Sequence, residues 1–269
     1  MKSSFKNKVV WITGASSGIG EALAKELATR GAKLVLSARN TQTLNAIKKQ
    51  LQLDDSRCIV LKIDLEHESN FSNHVLTVVN NLGAIDILIN NAGISQRSFA
   101  VETSIEVDKK IMQVNYFGTV TLTKAILPHM IKNNSGHIVA ISSIAGKIGY
   151  FLRTSYSASK HALHGFFDSL RMEVYKNNVK VLLVCPGKIK TNISVNALTG
   201  TGEKHNIMDD SHLRKGVISA EDCANQILAA IEKGKEEIYI GDARGKLGLL
   251  LKRLIPATFS KIIRKQKIE

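Results

Sequence analysis

Proline is scarce in this chain, three in 269 residues, and the three cysteines, Cys58, Cys185 and Cys223, stand far apart. An odd count at such spacing excludes CxxC-type redox or metal pairs, so reduced structural thiols are expected. Aromatic residues are only 5% of the chain, and no nucleic-acid motif accompanies them, which argues against a base-stacking surface. No apolar run approaches the roughly 18 residues that cross a bilayer; the longest candidates, 179–185 and 247–251, are interrupted by charge or glycine. The opening residues Met1 to Lys8 show neither the apolar stretch nor the small-residue cleavage site of a secretory signal, so a cytoplasmic location is expected. The chain also lacks polar low-complexity tracts, which excludes disorder and fibrous structure.

What is abundant is ordinary globular material and positive charge. Hydrophobic residues make up 44% and charged residues 22%, with a formal net charge of +14. Such a balance suits an anionic ligand, a nucleic acid or an anionic membrane surface, and its distribution decides among them. Lys246, Lys252, Arg253, Lys261, Arg264, Lys265 and Lys267 crowd the last residues against Glu269 alone.

Short apolar or β-branched runs at 9–13, 34–37, 59–63, 85–89, 137–142, 179–185 and 237–240 alternate with helical patterns. The helices are expected at 20–30, 41–51, 69–82, 104–132, 155–176 and 220–232, where apolar residues recur near a 3.6 spacing. Near-continuous apolar strands require cover on both faces. The expectation is therefore an α/β fold: a single Rossmann-like, doubly wound parallel sheet of about seven strands, with helices on both faces. No linker or repeat divides the chain, so residues 1–245 form one domain with a substrate loop at 188–218, followed by a basic amphipathic extension at 246–269.

After the first strand comes Thr13-Gly14-Ala15-Ser16-Ser17-Gly18-Ile19-Gly20, opening directly into a helix. Glycines allow the tight turn, close approach of backbone to a pyrophosphate, and close packing of helix on strand, while exposed amides at the helix start attract the anion. The spacing G-x-x-x-G-x-G departs from the generic G-x-G-x-x-G, and an ordinary glycine-rich turn is the competing reading. About twenty residues on, where an NAD-preferring site carries Asp or Glu, this chain has Ala38 followed by Arg39. A guanidinium binds a 2′-phosphate bidentately, so NADP(H) is preferred over NAD(H), against the alternative of a solvated arginine at a strand end. Asp64 and Leu65 are placed to face the adenine, and Asn91, Ala92 and Gly93 form a small-residue turn where the cofactor passes the sheet edge.

Tyr156 and Lys160 stand four apart on a helical pattern and share one face. A free tyrosine titrates near 10, and a neighbouring ammonium favours phenolate. Ser143, closing the fifth strand, is placed to bond a substrate carbonyl, and Asn115 to hold a water beside Lys160. Tyr-x-x-x-Lys alone is common on solvated helix faces. As an ordered set, however, the glycine turn, Asn90-Asn91-Ala92-Gly93, Asn115, Ser142-Ser143, Tyr156-Ser157-Ala158-Ser159-Lys160 and Pro186-Gly187 resemble the short-chain dehydrogenase/reductase family over residues 6–242. Ser142–Lys147 and Thr191–Thr199 are most similar to its hydroxysteroid dehydrogenase type one-like and member seven B-like subgroup, whose animal members carry an N-terminal membrane anchor that is not expected in this chain. Neither steroid use nor membrane insertion is carried over.

The resemblance implies an NAD(P)-dependent oxidoreductase acting on CH–OH donors. Its tetrad would be Asn115, Ser143, Tyr156 and Lys160: a serine that orients the carbonyl, a tyrosine acid/base, a lysine that lowers the tyrosine pKa and holds the nicotinamide ribose, and an asparagine supporting a relay water. Gly14, Ser16, Ser17, Gly18, Ile19, Gly20 and Arg39 would hold the phosphates and adenosine half, and Pro186, Gly187, Ile189 and Thr191 would border the nicotinamide. A homodimer or homotetramer is implied, with a hydrophobic small-molecule carbonyl or alcohol as substrate.

Residues 188–216 mix Ile189, Ile193, Val195, Leu198, Ile207, Met208 and Leu213 with polar residues, as a mobile flap would, or as a surface excursion packed on its own subunit would. In the extension, Leu247, Leu250, Leu251, Leu254 and Ile255 form one stripe. Packing of that stripe on protein is favoured over contact with an anionic bilayer. Eight histidines form no HExxH or comparable ligand set, and no metal is required. The competing functions are an NADPH-sensing regulatory protein, opposed by the intact Ser143, Tyr156 and Lys160, a nucleic-acid binder, and a sugar-nucleotide epimerase, opposed by the want of a second substrate domain.

Overall fold

A computed structural model describes residues 4–67, 70–207 and 216–265. Seven strands, β1 (Val9–Thr13), β2 (Lys33–Ala38), β3 (Cys58–Lys62), β4 (Ile87–Asn90), β5 (Gly136–Ile141), β6 (Val179–Pro186) and β7 (Glu237–Ile240), form one sheet in the order β3-β2-β1-β4-β5-β6-β7. Every pairing is parallel. The order reverses between β1 and β4, and in such sheets the crevice outside the carboxyl ends at the reversal is where ligands bind.

Alternation along β1 explains the two cores. Val10 and Ile12 face one side, with α1 (Gly18–Thr29), α2 (Thr41–Gln50) and α7 (Ala220–Glu232) supplying Leu23, Leu44 and Ile227. Val9 and Trp11 face the other, against α3 (Ser72–Leu82), α5 (Gly118–Lys132) and α6 (Thr154–Val174) through Val78, Ile126 and Phe167. The indole of Trp11 donates to Ser37 Oγ at 3.0 Å, so its one polar atom is satisfied inside the sheet. Local sequence sets the helix starts: Asn40 accepts from the Thr43 amide, Ser104 from Val107, and Ser219 from Asp222. At the end of α3, Gly83 takes φ +85°, which L side chains rarely adopt.

Three expectations need correction. The stretch 104–132, read as one helix, is two, α4 (Ile105–Met112) and α5, joined by a π turn at Gln113–Phe117. A 3.6 periodicity carries no mark of one inserted residue. The start of α3 is Ser72, and position 69 lies outside the described residues. The extension forms α8 (Ala243–Leu254) and α9 (Pro256–Ile263), and within this chain most of the leucine stripe stays uncovered, Leu251 alone being half-buried. Leu247, Leu250 and Leu254 are 54%, 52% and 67% exposed, whereas the inward face carries Gly245 and Gly248.

Part of the substrate loop is fastened to the body. The Leu198 amide donates to Ser95 O and its carbonyl accepts from Arg97, while the Ser104 amide donates to Gly200 O. Leu198 is buried against Val107 and Ile111. Residues 194–206 are thus a packed excursion, and Met208 and Leu213 lie outside the described residues. The thiols of Cys58, Cys185 and Cys223 are free and buried, and burial pushes them up to about 11, 12 and 12 respectively.

Burial holds the buried imidazoles of His137 and His164 neutral, down to about 4 from 6.5. Their folded pKa values lie below the unfolded one, so the unfolded chain binds more protons and stability falls as pH drops from 6.5 towards 4. Each contributes a loss of up to about 3 kcal/mol. Urea unfolding at neutral pH and near pH ~5 is expected to show this decline, and replacing both residues by Gln to flatten it.

Candidate active site

The glycine turn sits at the β1 carboxyl end. Gly14 and Gly18 take φ +64° and +57°, the left-handed region in which glycine is unstrained. Gly20 has φ in the ordinary range, yet a Cβ there would overlap the Gly14 carbonyl. The turn is tied across the sheet by Asn91, whose Nδ2 donates to Thr13 O at 3.0 Å and Gly14 O at 3.2 Å. Thr13 Oγ1 accepts from the amides of Asn91 and Ala92, both at 3.0 Å. At the entrance of α1, Ser17 makes no side-chain cap, so the first amides keep donors for an anion.

Other predicted residues gather around this turn. A Cβ on Gly18 would lie 3.1 Å from Thr191 Cγ2, which brings the loop after Pro186 against the glycines. Ile189 is buried and bridges to Ile218; Gly187 lies beside the Tyr239 hydroxyl. Ser16 is half-buried and Ile19 packs on the core. Arg39 is exposed at the β2 end, close enough to Asp64 to help lower its carboxyl pKa. Burial opposes that lowering and is outweighed by the Glu66 amide, His67 and Arg39 together. Leu65 is buried against Gly118. Asp64, Glu66 and His67 bring their ligand atoms within 4.8 Å of one another, yet Glu66 pairs with Lys110 at 2.9 Å and Asp64 with His67 at 3.3 Å.

The other predicted residues meet at the β4–β5 end. Asn115 sits in the π turn, fully buried: its Oδ1 accepts from the Ile94 amide at 2.8 Å, and its Nδ2 donates to Ile94 O and Ser159 Oγ, both at 2.9 Å. Lys160 Nζ donates to Ile141 O at 2.8 Å and lies 5.8 Å from the Tyr156 ring centroid. Gly93 fits between them, since a Cβ there would be 3.1 Å from Asn115 Oδ1 and 3.4 Å from Lys160 Nζ. Ser143 Oγ accepts from the Ala145 amide at 3.1 Å and is also a hydrogen-bond partner of the Tyr156 phenol.

Electrostatics here differ from the simple expectation. Burial raises the Tyr156 phenol above its usual value; the Arg153 guanidinium and the Ser143 hydroxyl work in the lowering direction. Burial also takes Lys160 down to about 8. Arg153 was absent from the sequence-predicted set although it stands three residues before Tyr156, one helical turn away, with its guanidinium 5.9 Å from the ring centroid. His164 was also outside that set. Its Nε2 lies 3.0 Å from Ser142 Oγ, which is 3.3 Å from Lys160 O, so this histidine, one turn beyond Lys160 on α6 itself, is turned towards the end of β5 instead of facing solvent.

The family model described as short chain dehydrogenase matches residues 8–201. A "Dehydrogenase/reductase SDR family protein 7-like" of Anopheles gambiae is 44% identical over 264 residues, spanning 96% of this chain and 83% of that relative. The "Dehydrogenase/reductase SDR family member 7B" of Bos taurus is 40% identical, spanning 98% and 82%. Among solved structures, a short-chain dehydrogenase from Burkholderia cenocepacia J2315, crystallised in complex with NADP, superposes with TM-score 0.76 at 25% identity over 97% of this chain and 100% of that one. A short-chain dehydrogenase from Streptomyces avermitilis gives TM-score 0.79 at 26% identity, covering 96% and 98%.

Because a methyl at position 20 overlaps a backbone oxygen and the Asn91 amide, Gly20→Ala is expected to open the turn. Thermal melts with and without NADPH should show a lower Tm and a cofactor-induced shift reduced to a small fraction of the parent's.

Proposed function

The chain belongs to the short chain dehydrogenase family, and from that premise we propose that it is an NADP(H)-dependent oxidoreductase interconverting a ketone or aldehyde with an alcohol on a hydrophobic small molecule. The observation that carries this is the convergence of Ser143, Tyr156, Lys160 and Asn115 at one end of the sheet, with Gly93 wedged against Lys160 and Asn115. The uncapped α1 and the glycine turn fit a dinucleotide pyrophosphate, which Ser16, Ser17, Gly18, Ile19, Asn91, Ala92, Pro186, Gly187, Ile189 and Thr191 would hold together with its nucleosides. When bound, the nicotinamide supplies or accepts hydride.

The protein's own residues manage the proton. Tyr156 gives its phenolic hydrogen to the developing alkoxide, or takes it back from an alcohol, while Ser143 donates to the same oxygen. Burial raises the phenol and so weakens it as an acid; the Arg153 guanidinium and the Ser143 hydroxyl work against that, and the Lys160 ammonium, 5.8 Å from the ring centroid, is the cation the family assigns the same task. Asn115, with both ends of its carboxamide engaged, holds the Ile94 backbone and Ser159 in place beside Lys160. For the cofactor, Arg39 at the β2 end and the absence of a carboxylate at Ala38 support the 2′-phosphate form. Exposed Ile105 and Phe117, near the start of α4 and in the π turn, support association of copies as a homodimer or homotetramer.

Tyr156→Phe is expected to lower kcat by about a thousandfold or more while NADPH still quenches or enhances intrinsic fluorescence as in the parent. Retained turnover would reject the assignment. With a ketone panel followed at the reduced-nicotinamide absorbance, kcat/KM should favour NADPH, and Arg39→Asp should cost the NADPH value about 10- to 100-fold while sparing NADH. A parent enzyme preferring NADH would overturn the cofactor reading. In the reductive direction the rate is expected to decline as pH rises through about 8, where Lys160 loses its charge.

A further inference from the structure

The C-terminal helices turn the unexpected face inward. On α8 the small side is the packing side: a Cβ on Gly245 would overlap the Tyr239 hydroxyl and reach 3.2 Å from Ile144 Cδ1, and one on Gly248 would lie 3.7 Å from Ile148 and 3.8 Å from Phe259. Lys252 adds a bond from its ammonium to Lys147 O. With Phe259 buried, the pair is fastened to the body without Leu247, Leu250 or Leu254. Leu247, Leu250 and Leu254 stand 54%, 52% and 67% exposed, followed by Ile255 at 45% and Ile262 at 49%. This is a concentration of apolar surface with no covering element among the described residues.

The same segment is basic throughout. Between Ala243 and Lys265 the sequence holds Arg244, Lys246, Lys252, Arg253, Lys261, Arg264 and Lys265 and neither Asp nor Glu. None of these cations makes an ion pair among the described residues, although Lys8, Lys25, Arg30, Lys48, Lys109, Lys110, Lys147 and Arg171 elsewhere do. Lys246 and Arg253 interleave with the exposed leucines. A second copy placed face to face would set these cations against their own counterparts, with no carboxylate within 243–265 of either copy and only the α8 cap Asp242 beside them. An acidic lipid surface answers both properties at once: acyl chains accept the leucines and headgroups the cations.

We propose that α8 and α9 form a docking face for an anionic bilayer surface, on which the protein lies without crossing. Twelve residues make α8 about 18 Å long, shorter than the roughly 30 Å hydrocarbon core, and no described helix is long and apolar enough to span. The sequence pattern favoured packing of the stripe on protein; the exposure of that stripe reverses the preference. The placement adds a consequence. α8 rests on Ile144 and Ile148, in the segment that runs from Ser143 to the exposed Phe151, so docking brings the bilayer beside the substrate side of the site.

The test is flotation of the full chain with phosphatidylserine-containing and with pure phosphatidylcholine vesicles, across a salt series. Expected is binding to the acidic vesicles that weakens with salt, reduced about tenfold or more both in Leu250→Ser/Leu254→Ser and in Lys246→Glu/Arg253→Glu. Melting temperature and turnover of a soluble ketone serve as folding controls and should match the parent. No binding to acidic vesicles, or binding that both variants retain, would overturn the proposal. So would a change from oligomer to monomer by light scattering in the leucine variant, which would assign the face to self-association.

Discussion

Asn115 is the side chain on which the arrangement of the site depends. Its carboxamide makes three hydrogen bonds in a position closed to solvent, joining the backbone after β4 to α6 through Ser159. Buried polar groups left without partners cost about 1–3 kcal/mol each, so loosening this amide would leave the Ile94 amide and carbonyl unsatisfied and release α6 from the sheet edge. Tyr156 and Lys160 lie on that helix, and Gly93 threads between Asn115 and Lys160. The π turn that carries Asn115 breaks an otherwise regular α4–α5 run, and the break is what aims the amide inward.

A second tie serves the opposite wall of the crevice. Thr13-Gly14 and Asn91-Ala92 share four hydrogen bonds between the ends of β1 and β4, the strands flanking the point where sheet order reverses. The glycines at 14, 18 and 20 then fit because neighbouring backbone and Thr191 come closer than side chains permit. Both walls are therefore held by amides and hydroxyls that carry no reaction chemistry, and the reacting groups inherit their geometry from them.

Burial sets the electrostatics of the interior, and charge sets those of the surface. Tyr156, Lys160, His137, His164 and the three thiols are all shifted first by removal from water. The cations of α8 and α9, by contrast, make no ion pair among the described residues and all but Lys252 stay exposed, beside leucines that the helix leaves outward. One fold thus separates a dry site for proton transfer from a wet, cationic face whose helix α8 rests on Ile144, next to Ser143.

Seven strands and most helix ends were legible in the sequence because the sheet is covered on both sides: each strand reads as an apolar run, and caps such as Ser104 and Ser219 act within three residues. The glycine turn and Tyr156-x-x-x-Lys160 were legible for the same reason, since their chemistry depends on local spacing. The π turn and the direction of the Tyr156 shift depend on what surrounds a residue from distant segments, which a 3.6 period does not encode, whereas Arg153, one turn before Tyr156, lay within reach of local spacing. The tail shows the difference most directly. Its sequence specified an amphipathic helix, but only the approach of Tyr239 and Ile144 decided which face is inward, because a glycine ridge lets two elements close to a distance that leucines forbid.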